Sequence, residues 1–359
     1  MKKIAFYLGS DTLVYLVKPI LQELFNSKGK QVLIVFPSIT DERAKETFLE
    51  LFPGNKSNIS KIRKVFREKV DCIVCANDWG AEIKLIIKFA RRKGIKTIGI
   101  QESIIDLSEG SDKYQYVDFV LAQGDISRRL LKRKNIIVTG NPRYQSVLKT
   151  ENKFGEYALI NCNFTYGVFE EHRDKWIYDV TSALQSNNVD FKISKHPRDF
   201  SKLEGLEGYI IPSGAGVIHD QIDKSKFLIT RFSSLIHESI LMGKAVIYYN
   251  PHGEKLGYDF TPDGRVLYLA TSPQELDDAI FHLRNSNILD DEFERYIKPH
   301  LDYILDAKTP SKRIIDVLNS DLDVNADDCK EINITREFYI ALKTVVYNKF
   351  FKNMGFFNV

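Results

Sequence analysis

Short, nearly continuous apolar runs alternate along the chain with longer stretches whose apolar residues recur at helical spacing. Lys3–Leu8, Gln31–Phe36, Asp71–Ala76 and Lys96–Ile100 are runs of the first kind. They are too short for helices and rich in β-branched residues, which is the pattern of strands buried on both faces. Between them, Thr12–Ser27 sets Leu13, Leu16, Val17, Ile20, Leu21 and Leu24 on one helical face, and Pro19 predicts a kink or a split within it. Asp41–Phe52, Ile59–Lys69 and Ala81–Lys93 also read as helices, the last closing on basic residues and Gly94. Phe119–Ala122 reads as a strand, Asp125–Lys134 as a helix and Ile136–Thr139 as a final strand before Gly140. Strand following helix in this rhythm predicts a parallel, doubly wound sheet with right-handed crossovers.

A second series of the same kind follows. Tyr157–Cys162, Asp190–Ser194, Gly208–Ile211 and Val266–Ala270 read as strands. Asp174–Ser186, Ser272–Asn285 and Asp290–Ala307 read as helices, and Ile218–Lys224 as a short helix or loop. The pattern divides the chain into a domain over 1–150, a domain over 151–318 joined near Lys149–Phe154, and a linker and tail over 319–359. Both domains are of the α/β class and Rossmann-like.

One stretch organises the second domain. Phe227–Tyr249 reads strand, polar turn, short helix, glycine and strand. Ser233 and Ser234 stand where helix-starting hydroxyls are favoured, and Gly243 stands where a positive φ is often needed after a helix. Such a unit brings hydroxyls and unpaired N–H groups to the carboxyl edge of a parallel sheet, where α/β folds hold phosphorylated ligands. Glu238, one helical turn after Ser234, is placed to accept hydrogen bonds from the vicinal hydroxyls of a ribose. At the end of Asp190–Ser194, His196 can donate to a phosphate oxygen, Lys195 adds charge beside it, and Pro197 ends the strand. Read singly, Lys195–Pro197 is a strand end with a turn and the serine pair an N-cap. Their joint order describes a nucleotide phosphate held without metal.

Composition narrows the function classes. The 359 residues carry 43% hydrophobic and 28% charged residues, the balance of a soluble globular protein. A net charge of +3 gives no argument for nucleic acid. No apolar run reaches the roughly 18–20 residues of a membrane span, and the opening Met1–Asp11 reads as a first strand rather than a leader. Cys72 and Cys75 form a lone CxxC inside a strand-like run and read as buried small residues, consistent with a reducing, cytoplasmic setting. The tail is different. Phe338, Tyr339, Leu342, Val345, Val346, Phe350, Phe351, Phe356 and Phe357 lie among Lys343, Lys349 and Lys352. The tail fits either an amphipathic helix on the inner face of the cytoplasmic membrane or a helix packed on the protein's own body.

The second half resembles the nucleotide-binding half of GT-B glycosyltransferases, in particular CDP-glycerol glycerophosphotransferases, Kdo transferases and bacterial sialyltransferases. The resemblance rests on His196–Pro197, Ser233–Ser234, Gly140–Asn141–Pro142–Arg143 and the strand end Leu159–Phe164 that includes Asn163, and it spans about residues 136–260. It implies a GT-B fold of two Rossmann-like domains facing across a cleft. It implies a cytidine-nucleotide sugar donor, with Kdo first, bound by the His-Pro and Ser-Ser motifs without metal or other cofactor. A lipid-linked or growing glycan is the implied acceptor, in capsule or lipopolysaccharide assembly.

Glycosyl transfer needs a carboxylate to take the acceptor proton or to act as a nucleophile. Glu102, after a buried strand and between Gln101 and Ser103, is the first candidate, and Asp78, before Trp79–Gly80, the second. Gly9, Ser10, Asp11, Arg143 and His252 are further cleft candidates. His237 is placed to touch donor or core, and His172, His219, His282 and His300 read as surface residues. Three rival readings share the fold: a UDP-sugar 2-epimerase, whose Gly-Asn turn is similar to Gly140–Asn141, a CDP-glycerol-type phosphotransferase, and a non-catalytic nucleotide-binding scaffold.

Overall fold

The computed structural model describes residues 2–27, 31–37, 42–105, 107–108, 111–133, 135–145, 147, 155–165, 167–196, 199–214, 217–255, 257–301, 309–322 and 329–350. The expected junction at 149–154, Pro197 and the end of the tail lie outside these residues.

Among the described residues the chain forms two six-stranded sheets. The first contains β1 (Lys3–Tyr7), β2 (Gln31–Val35), β3 (Cys72–Cys75), β4 (Lys96–Ile100), β5 (Phe119–Ala122) and β6 (Ile136–Val138), in the order 2-1-3-4-5-6. The second contains β7 (Tyr157–Cys162), β8 (Phe191–Lys195), β9 (Ile210–Ile211), β10 (Ser225–Thr230), β11 (Ala245–Tyr249) and β12 (Leu267–Ala270), in the order 12-11-10-7-8-9. Every pairing is parallel. Strands of such a sheet are covered on both faces, which is why β3 and β11 read as unbroken apolar runs and β1 and β7 as nearly continuous ones.

The helices of the first unit are α1 (Asp11–Asn26), α2 (Glu42–Leu51), α3 (Ile62–Arg67), α4 (Ala81–Arg92) and α5 (Asp125–Leu131). Those of the second are α6 (Arg173–Ser186), α7 (Ile218–Lys224), α8 (Leu235–Leu241), α9 (Pro273–Asn285) and α10 (Asp290–Ile297). The chain then adds α11 (Pro310–Asn319) and α12 (Ile334–Phe350). Pro19 is accommodated inside α1, which runs unbroken as one helix. Cys72 and Cys75 are buried in β3, and burial pushes the Cys72 thiol up to about 12, so both pack as core residues. The expected strand over Gly208–Ile211 shortens to a 3-10 turn and the two residues of β9.

The compact units differ from a simple cut of the chain. The first comprises residues 1–103, 109–145 and 302–359, and the second 104–108 and 146–301. The C-terminal part thus belongs with the first unit. Helix α11, which has no counterpart among the expected elements, buries Ile314 and Leu318 in the core formed by α1 and β1. Helix α12 packs on α4, where buried Glu337 meets Lys84 at 3.5 Å. Apolar burial is non-directional and roughly proportional to area, so a helical pattern does not reveal which core it will cover.

Candidate functional site

In the second unit, three strand ends place the sequence motifs on one sheet edge. Strands β7, β8 and β10 are neighbours, so Asn163, His196 and Ser233 leave the sheet side by side. The His196 N–H donates to the Cys162 carbonyl at 2.9 Å, and its own carbonyl accepts from Asp199 N–H at 2.8 Å. The Asn163 amide donates to the Phe232 carbonyl at 2.9 Å, tying the β7 and β10 loops together.

The serine pair is used differently from an N-cap pair. Ser233 Oγ accepts from Leu235 N–H at 3.2 Å, so it is Ser233 that caps the turn. Ser234 is already in the helical region of φ and ψ, and its hydroxyl donates to Glu238 Oε1 at 3.1 Å. Gly243 takes the expected positive φ, 79°, after α8.

Glu238 is fully buried, so it is not an open acceptor for ribose hydroxyls. Its second oxygen lies 2.7 Å from His219 Nε2, the side chain of α7 that read as a surface residue. The carboxylate therefore holds two partly exposed groups, the Ser234 hydroxyl and the His219 ring, in fixed positions. Lys195 is likewise committed internally. Its ammonium donates to the Ser201 carbonyl and sits 3.9 Å from Asp199, so it is not aimed at a ligand phosphate.

A second buried charge lies beneath this edge. Arg231, directly after β10, donates from Nε to Glu254 Oε1 at 2.6 Å and from Nη1 to the carbonyls of Asn163 and Val168, both at 3.3 Å. Its guanidinium lies 4.0 Å from the centre of the Phe164 ring. These bonds fix the loops after β7 and β10. The one sequence signal for Arg231 is a cation closing an apolar run, and nothing local pairs it with Glu254. His252, on the turn after β11, stacks on His172 with ring centres 3.8 Å apart. Burial, followed by the charge of His172, lowers its pKa. His300 is buried too, and its Nδ1 lies 2.6 Å from the Tyr258 hydroxyl.

In the first unit, the backbone of Glu102 is held from both sides. Its N–H donates to the Tyr114 hydroxyl oxygen at 3.1 Å, and its carbonyl accepts from the Asn141 amide at 3.1 Å. Asn141 also accepts from Arg143 N–H at 3.0 Å, so the Gly140–Arg143 turn clamps the β4 loop. The Arg143 guanidinium lies 5.8 Å from the centre of the Tyr144 ring. Tyr114 is held in the left-handed region at φ 56°, with its hydroxyl donating to the Ala76 carbonyl at 2.7 Å. It crosses β4 where Gly99 leaves room: a Cβ there would approach the Tyr114 ring to 2.8 Å.

Asp78 accounts for this conformation. It is fully buried, and its oxygens accept from Tyr114 N–H at 2.9 Å, Tyr116 N–H at 2.6 Å and Val117 N–H at 3.3 Å. Its two oxygens are committed to anchoring the 114–117 loop. Ser10 caps α1 by accepting from Leu13 N–H at 3.3 Å. Asp11 accepts from Thr12 N–H and faces Arg43 at 3.3 Å, so it too serves the helix start. Gly9 lines a pocket of about 410 Å³ with Tyr7, Leu13, Trp79, Glu82 and Ile83, walled on one side by Ala341 and Thr344 of α12. Its lining is mostly apolar. Among the described residues no group of three or more His, Cys, Asp or Glu is arranged to hold a metal ion.

No family model matches the chain, and no curated protein sequence matches it significantly. Solved structures do match. The UDP-GlcNAc 2-epimerase of Methanocaldococcus jannaschii, in complex with UDP-GlcNAc and UDP, superposes with a TM-score of 0.60 at 16% identity, over 88% of this chain and 99% of that one. The lipopolysaccharide outer core galactosyltransferase WaaB matches with 0.54 at 15% identity, over 89% and 100%. The wall teichoic acid polymerase TagF matches with 0.53 at 12% identity, over 88% of each chain. At such identities the likeness concerns the fold: this chain has a two-domain α/β fold of the GT-B type.

Proposed function

We propose that the chain is an enzyme acting on a nucleotide-activated sugar, and that the loops after β7, β8 and β10 hold the nucleotide. The observation that carries this reading is the buried Glu238 carboxylate between Ser234 and His219 at the carboxyl edge of a parallel sheet. A buried charge is costly unless it is paired. Here it fixes a hydroxyl and an imidazole where the fold presents ligands. His196 and the Ser233 hydroxyl stabilise charge on the leaving phosphate, and Glu238 acts by positioning.

The reaction is glycosyl transfer in surface-polysaccharide assembly. Glu102 accepts the proton of the acceptor hydroxyl. The acceptor oxygen bonds to the anomeric carbon as the bond from that carbon to the phosphate oxygen breaks, and the electron pair leaves with the nucleotide. The clamped backbone of Glu102 favours it over Asp78 for this role. The sequence resemblance supports a cytidine donor, Kdo first, used without metal. The second reading is a UDP-sugar 2-epimerase, supported by the likeness to epimerase structures that contain UDP or UDP-GlcNAc.

Thermal-shift measurements with CMP, CDP, UMP, UDP and GDP, with and without EDTA, test both readings, because a ligand of the folded state raises Tm. Stabilisation by CMP or CDP, indifferent to EDTA and lost in His196→Ala, is expected of the transferase. Stabilisation by UDP alone, with a 2-epimer appearing by NMR when UDP-GlcNAc is added, replaces it with the epimerase. Indifference to every nucleotide overturns both.

A further inference from the structure

Helix α12 buries one side and leaves the other bare. Glu337 is buried against α4, and Ile334 and Ala341 lie beside it on the inner face. With about 100° between successive residues, Phe338, Leu342 and Tyr339 follow one another around the outer face. They are 60%, 52% and 66% exposed. Exposed Lys343 and Arg336 come next around the helix and border this apolar arc on one side. Three large apolar side chains adjacent on one exposed helix face need an explanation that single exposed residues do not.

Charge identifies the occupant. From Phe338 to Val359 the sequence contains Lys343, Lys349 and Lys352 and no Asp or Glu. The one acidic residue in the first turn of α12, Glu337, is turned inward and neutralised by Lys84. The outward face is therefore apolar and cationic. That combination matches an anionic bilayer surface, where aromatic and aliphatic groups enter the headgroup boundary and lysines meet lipid phosphates. No helix among the described residues is long and apolar enough to cross a membrane. We propose that the outer face of α12, built on Phe338, Tyr339, Leu342, Arg336 and Lys343, docks the first unit in the plane of an anionic membrane. This inference stands independently of the nucleotide reading.

Flotation of the full chain with vesicles tests it. Binding to phosphatidylglycerol–phosphatidylcholine vesicles, weak binding to phosphatidylcholine alone and release by high salt are expected. Lys343→Glu lowers the partition constant about tenfold or more, and Phe338→Ser/Leu342→Ser abolishes flotation. Both variants keep the parent Tm, because the altered side chains are exposed. Failure of the parent chain to float overturns the proposal, and so does flotation undiminished in the double variant. A dimer in light scattering that dissociates on the same substitutions, without flotation, assigns the face to a second copy instead. None of these readouts involves nucleotide binding.

Discussion

Replacing Asp78 with Asn separates an anchoring from a catalytic role. Asp78 offers two acceptor oxygens to three backbone N–H groups of the 114–117 loop. Asparagine keeps one oxygen and puts an NH2 group at the other position. If the amide oxygen takes the place near Tyr116 and Val117, the NH2 faces the Tyr114 N–H; in the opposite orientation it faces two N–H groups. Either way at least one buried N–H loses its acceptor, at about 1–3 kcal/mol, and the charge-assisted character of the remaining bonds is lost. A destabilisation of about 2–4 kcal/mol follows, which lowers the Tm of a unit of this size by about 5–15 °C. The pH dependence has a definite sign. Burial raises the Asp78 pKa above its ordinary 3.8, against the backbone hydrogen bonds that lower it. The folded state therefore holds the proton more tightly, and this group's contribution to stability falls as pH rises from about 3.8 through the folded value. Thermal melts of Asp78→Asn should show the lowered Tm and lack that component of the pH slope. Activity below the variant's transition should fall only as far as Glu102 is displaced. An unchanged Tm together with abolished turnover would refute this reasoning and make Asp78 the reacting carboxylate.

Three further outcomes follow from the same geometry. Glu254→Gln leaves the Arg231 guanidinium buried without its anion and should destabilise the second unit by about 3–5 kcal/mol, measured by urea denaturation; the double change Arg231→Met/Glu254→Leu should recover a large part of the loss. Gly99→Ala pushes the Tyr114 ring off β4, so turnover should fall while nucleotide binding, followed by titration calorimetry, stays at the parent level. His237 is buried against His300, Tyr258 and Phe260, and its ring nitrogens have no hydrogen-bond partner among the described residues. Burial depresses its pKa well below 6.5, so stability present above about 6.5 is lost as pH falls toward the folded value; His237→Phe should flatten that acid limb in melts between about pH 4 and 7.

The sequence by itself determined the class of the fold and the addresses of its loops. Parallel strands covered on both faces are nearly continuous apolar runs, so β1, β3, β7 and β11 announced themselves, and their alternation with amphipathic helices predicted a doubly wound parallel sheet. That pattern also brought Glu102, His196 and Ser233 to strand ends, because residues just after parallel strands come to one edge. Partnership was decided by tertiary structure. Asp78 meets acceptor-seeking N–H groups more than thirty positions later in the chain, and Arg231 meets Glu254 past the whole of α8 and β11. Glu238 finds His219 because α7 and α8 flank the same strand, β10. No local spacing encodes these pairs: each forms because a buried polar group must find whichever complement the packing brings within reach. The same holds for α11, which no expected element covered: its Ile314 and Leu318 are buried where the assembled core of α1 and β1 receives them.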